Sequence, residues 1–178
     1  MTAREDSADR DLAGREKVSM FERVLSFLRD LPARGEAKPS PDDPRVAASA
    51  LLYHVMNADG VRQDVEWERF KQILAETYSV SGEELDALAA AGERADNEAI
   101  DLYAFTSVLK RDLDAEARKA FIGLMWEIVY ADGELDELED NTVWRVAELI
   151  GVERRDRIEA RRKAAAEAPG ARGTSSDE

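Results

Sequence analysis

The chain has 178 residues, enough for one domain with a sizeable core and too few for two independent ones. Its 39 acidic and 25 basic side chains leave a formal charge of −14, which repels phosphate backbones and excludes nucleic acid from the expected partners. Without cysteine there can be no disulfide, thiolate zinc site or cysteine nucleophile, and no apolar run reaches the length of a membrane span, so the expected location is cytoplasmic.

In chain order, residues 1–13 are polar and poor in large apolar side chains, as are residues 167–178, and both read as disordered tails. Val18, Phe21, Val24, Leu25, Leu28 and Leu31 recur at spacings of three and four, which predicts an amphipathic helix over residues 14–31. That helix either docks on the body of the protein or serves a partner or a membrane surface. Residues 32–42, with Gly35, Pro39 and Pro41, read as a linker. Asp43 ahead of Pro44 is an N-cap followed by a first-turn proline, opening a helix that carries Val46, Leu51, Tyr53 and Val55 toward Gly60. A further helix covers residues 64–78, and Ser81 with Glu84 forms a capping box for one running to about residue 94. Asp96 and Asn97 are expected to start another, containing Ile100, Leu102, Tyr103, Phe105 and Val108. Asp114 opens a helix with Phe121, Leu124, Trp126 and Ile128 that stops at Gly133. Asp136 and Glu139 form a second capping pair ahead of Val143, Val146 and Ile150, and an Arg-rich helix closes the series at about residue 166. The sum is about eight helices with no alternating β-branched run, an all-α class.

Within residues 43–166 the pattern ADGxxxxxE occurs twice, as Ala58, Asp59, Gly60, Glu66 and as Ala131, Asp132, Gly133, Glu139. A constant offset of 73 residues also pairs Arg45 with Arg118, Leu51 with Leu124, Tyr53 with Trp126, Val55 with Ile128, Phe70 with Val143 and Ile73 with Val146. Apolar positions that stay in register through both flanks indicate an internally duplicated helical bundle with an approximate two-fold axis, in which the two acidic loops face each other.

The spacing from glycine to glutamate equals that between positions six and twelve of an EF-hand loop, with the aspartate at position five. Position one of such a loop needs a carboxylate, and here it holds Val55 and Ile128, so a standard EF-hand is rejected. The acids then have two readings. In one, the aspartates and glutamates only satisfy orphan amides and the helix dipoles. In the other, Asp59, Glu66, Asp132 and Glu139 hold a divalent metal ion, and all-oxygen donors favour calcium or magnesium over soft metals.

The segments LLYHVMNADG and LMWEIVYADGELDELE, with the duplicated signature they carry, resemble the TerB-like family of bacterial tellurite-resistance and stress-response proteins, whose domain also occurs beside J-domains in co-chaperones. The resemblance spans about residues 43–160. It implies a pseudo-symmetric all-helical bundle and metal binding through acids that map to Asp59, Glu66, Asp132 and Glu139. It also implies a non-catalytic role in tellurite resistance or in metal or envelope stress, among protein partners in a membrane-associated complex, at the inner membrane face. The alternative is a metal-independent, co-chaperone-like interaction module. The first copy departs from the acidic pattern, with Arg62 and Gln63 where the second has Leu135 and Asp136.

Other residues carry less. His54, the single histidine, is read as a packing or surface residue. Trp126 is read as core, Trp67 and Trp144 as surface contacts. Arg154, Arg155, Arg157, Arg161, Arg162 and Lys163 are read as a solvated face paired with Glu153 and Glu159. There is no phosphate loop, no HExxH and no nucleophile set beside a base in the sequence, so no enzyme is expected.

Overall fold

The computed structural model describes residues 42–171, and among them there are seven helices and no strand. The helix expected over residues 14–31 lies outside the described residues, as do the expected tail at 1–13 and most of the expected linker. In order, α1 is Pro44–Met56, α2 Asp64–Tyr78, α3 Gly82–Glu98 and α4 Tyr103–Asp112. They are followed by α5 Ala115–Val129, α6 Glu137–Leu149 and α7 Arg154–Glu167.

Two helices are apolar nearly all round and therefore run through the interior. In α1 every residue except Arg45 and His54 is buried, and it packs against α2, α3, α4, α5 and α6. In α5 Phe121, Ile122, Leu124, Met125, Trp126, Ile128 and Val129 are buried, and it packs against α1, α2, α6 and α7. The remaining helices are amphipathic and lay one face on this pair. Both core helices start at an aspartate that caps them: Asp43 accepts from the Arg45 N–H at 2.9 Å, and Asp114 from the Ala117 N–H at 2.8 Å. Each such bond satisfies an amide that the first turn leaves without a partner.

Three local expectations are corrected. The third helix does not end near residue 94. No glycine or proline interrupts residues 94–98, so α3 continues to Glu98, and Asp96 accepts a contact from His54 Nδ1 at 2.8 Å instead of opening a new helix. The next helix begins at Tyr103, whose N–H donates to Asp101 Oδ1 at 2.8 Å, leaving Ile100 fully exposed in the connection. Ser81 makes no side-chain cap bond, because Gly82 at φ +55 distorts the first turn that a capping box needs.

The tightest helix crossing is α1 on α3, at Ser49 and Gly92. A Cβ placed on Gly92 would lie 2.1 Å from Ser49 Oγ and 2.8 Å from the Ser49 backbone carbon, while the Ser49 hydroxyl donates to the Leu88 carbonyl at 3.3 Å. Only glycine fits there. Gly92→Ala should therefore cost about 1–3 kcal/mol by overpacking, although alanine is the better helix former; urea unfolding of the two proteins checks the sign.

Candidate functional site at the paired acidic turns

The core helices end in turns that match bond for bond. After α1, Asn57 N–H donates to the Tyr53 carbonyl at 3.0 Å, Ala58 to Val55 at 3.2 Å and Gly60 to Asn57 at 3.0 Å. After α5, Tyr130 donates to Trp126, Ala131 to Ile128 and Gly133 to Tyr130, each at 3.0 Å. Gly60 and Gly133 take φ of +74 and +83, a conformation open to glycine at little cost. The signature aspartates then fold each turn onto itself: Asp59 Oδ1 accepts from the Val61 N–H at 2.7 Å, and Asp132 Oδ1 from the Glu134 N–H at 2.9 Å. One carboxylate oxygen of each aspartate is used in this way.

The glutamates do something else. Glu66 and Glu139 sit in the first turns of α2 and α6, where a solvated acid would favour the helix dipole, yet they are only 1% and 3% exposed. They are buried because each continues its helix's apolar stripe: Glu66, Phe70, Ile73, Leu74 and Thr77 are the buried residues of α2, and Glu139, Val143, Val146 and Ala147 those of α6. The two carboxyls lie near enough to act on each other's proton, and burying them side by side favours the protonated form. Glu66 Oε2 is buried without any hydrogen-bond partner.

Burial, followed by the charges of Asp132 and Asp59, raises the Glu66 carboxyl to about 7. Burial, followed by the charge of Glu66, raises Glu139 to about 8. Asp59, Asp132 and Asp136 act on both glutamates, so all four residues singled out in the sequence share one acidic corner. Asp136 joins them. It also caps α6, accepting from the Leu138 N–H at 2.7 Å, whereas Gln63 at the matching position of α2 makes no cap bond. The expected Asp136 and Glu139 capping pair is thus half formed, because Glu139 turns inward.

All-oxygen donors and a buried, unpartnered glutamate oxygen suit a hard cation chemically. Among the described residues no group of three or more His, Cys, Asp or Glu side chains stands in metal-holding geometry, and one oxygen of each signature aspartate is bonded to its own turn.

The surroundings of the two turns differ. Below the first, Tyr53 lies edge-on to Trp67 and Phe70, with ring centroids 6.5 and 6.3 Å away, and the Arg62 guanidinium stacks 3.6 Å from the Trp67 centroid. Trp67 is thus packed against the core, and so is Trp144. Below the second, Trp126 is buried as expected, 5.9 Å from the Tyr130 ring. The cationic residues of α7 do not pair as expected. Arg161 bridges to Asp140 at 3.2 Å, the Arg157 side chain donates to the Val152 carbonyl, and Glu159 takes Lys119 from α5. Beyond α7, the Pro169 carbonyl lies against Gly133, where a Cβ would come within 2.6 Å of its oxygen, while a Cβ on Gly60 meets nothing within 4 Å.

These features define an all-helical domain built around a buried pair of acids between two tight turns. A family model described as Tellurite resistance protein TerB matches residues 45–162, well over half of the chain, and the protein belongs to that family. No curated protein and no solved structure matches it. No helix among the described residues is long and apolar enough to cross a membrane.

Two measurements probe the corner. Because both glutamates titrate above their ordinary value of 4.5, the native state holds protons that the unfolded chain has released between about pH 4.5 and 8. Stability must then fall as pH rises through that window. In chelator, the melting temperature should be higher at pH 5.5 than at pH 8.5 by roughly 5 °C, and Glu139→Gln should flatten the difference. Separately, Gly60→Ala should cost about 1–2 kcal/mol from its left-handed backbone alone, and Gly133→Ala more, because its Cβ also meets Pro169; chemical denaturation of both variants tests the order.

Proposed function

We propose that this TerB-family domain is a non-catalytic module that takes up a divalent cation, calcium or magnesium by preference, between its paired acidic turns, and acts in tellurite resistance or in the response to metal or envelope stress. The observation that carries the reading is the buried Glu66 and Glu139 pair, with Glu66 Oε2 left unpartnered and three aspartates around it. Side-by-side carboxyls in an interior are unfavourable when ionised, and only two things relieve them, a shared proton or a cation. Near neutral pH a proton is only weakly retained, so a cation can replace it. Asp59, Glu66, Asp132 and Glu139 are the ligands of this reading, with Asp136 as a fifth acid.

A second reading is supported by the same corner. One oxygen of each signature aspartate is bonded to its own turn and both buried glutamates favour their protonated forms, as suits an interaction module that never loads a metal. In either reading tellurite is not bound directly, since an acidic corner repels an oxyanion. The work is done among protein partners, in the cytoplasm or at the inner membrane face.

Thermal melts at pH 7.5 separate the two. At about 100 times its dissociation constant a bound ion adds roughly 2.7 kcal/mol, a rise of about 5–10 °C for a domain of this size. Calcium or magnesium at millimolar levels should produce that rise, and Asp132→Asn or Glu139→Gln should remove it. Identical melts in chelator and in either ion would leave the interaction module standing.

A further inference from the structure

Seven large apolar side chains are exposed among the described residues, and four of them, Val61, Val65, Leu135 and Leu138, stand on the two acidic turns or in the helix turns just after them. Val65 and Leu138 immediately precede the buried glutamates and are 47% and 54% exposed. Scattered apolar residues need no explanation, but apolar residues gathered on the most acidic corner of a strongly acidic chain do. Among the described residues these four side chains are 40–59% exposed. Val65 also lines an open groove of about 440 Å³ between α2 and the ends of α5 and α7, together with Glu68, the paired Arg69 and Glu127, Gln72 and Tyr130. The patch therefore continues into a trough. Next to Val65 in the chain, Glu66 Oε2 is a buried acceptor with no donor.

We infer that this corner is a docking surface for a basic amphipathic helix of another protein, whose apolar face covers Val61, Val65, Leu135 and Leu138 while a lysine or arginine reaches the acids between the turns. Charge selects the occupant. Asp64, Glu134, Asp136 and Glu137 are exposed around the apolar side chains against one exposed cation, Arg62, which is stacked on Trp67, so an anionic lipid surface is repelled where a cationic helix is attracted. Anchors spaced at three and four along a helix match a patch beside a groove. The inference does not rest on the cation reading, because the patch and the groove exist without an ion.

The test is made in chelator with the full-length protein and a fluorescent 18-residue peptide of leucine and lysine, patterned to give one apolar and one basic helical face. A peptide of the same composition, scrambled to remove the apolar face, is the reference, and fluorescence anisotropy is the readout. The patterned peptide should bind at least tenfold tighter than the scrambled one. Val65→Ser with Leu138→Ser should remove that preference, while Leu149→Ser, at an exposed apolar residue away from the corner, should leave it unchanged. Equal binding of the two peptides, or a preference that survives Val65→Ser with Leu138→Ser, overturns the proposal, as does capture by phosphatidylglycerol vesicles without any peptide preference. Because every arm excludes divalent ions, absence of a metal-induced melting shift cannot be confused with any of these outcomes.

Discussion

Two carboxyl groups that must share an interior with each other are the constraint around which this protein is arranged. An ionised carboxylate costs several kcal/mol to bury without a partner, and a second one alongside makes the problem worse. Glu66 and Glu139 nevertheless occupy positions that helix periodicity reserves for apolar side chains. The structure answers with a raised affinity for protons at both carboxyls. That solution is metastable in a chemical sense, since anything that brings positive charge to the corner competes with the proton.

The rest of the fold holds that corner in place. The apolar helices α1 and α5 carry the two turns on their ends, and their rigidity comes from burial on nearly every face. The turns are short and internally bonded, so the aspartates are fixed by their own backbone and not by the glutamates. Packing of α1 on α3 at Ser49 and Gly92 brings the two helices too close for any side chain at residue 92.

Much of this was legible in the residues. The aspartate caps at Asp43 and Asp114, the glycine turns and the all-helical class follow from local chemistry that tertiary contacts do not override. Seven of the expected helices lie among the described residues. The site residues were legible as a pattern, but not their burial, although the signal was present: Glu66 and Glu139 fall four residues before Phe70 and Val143, on the inward stripe. Reading them as dipole partners gave weight to the first-turn position over the face. The fourth helix was misplaced for a similar reason, because Asp96 looked like a cap when its side chain was committed to His54, 42 positions earlier. Long-range partners of that kind leave no trace in local spacing.

The contact between Pro169 and Gly133 makes the two copies of the signature unequal in a way their sequences do not announce. The stretch shared with the family ends at residue 162, so the chain that shields the second turn comes from outside it. A protein trimmed to the shared stretch would keep every acid of the corner and lose the carbonyl that lies against Gly133. Among the described residues nothing lies against Gly60, whereas Pro169, just beyond α7, lies against Gly133. Evolution can thus tune one half of the corner by altering residues that belong to neither copy.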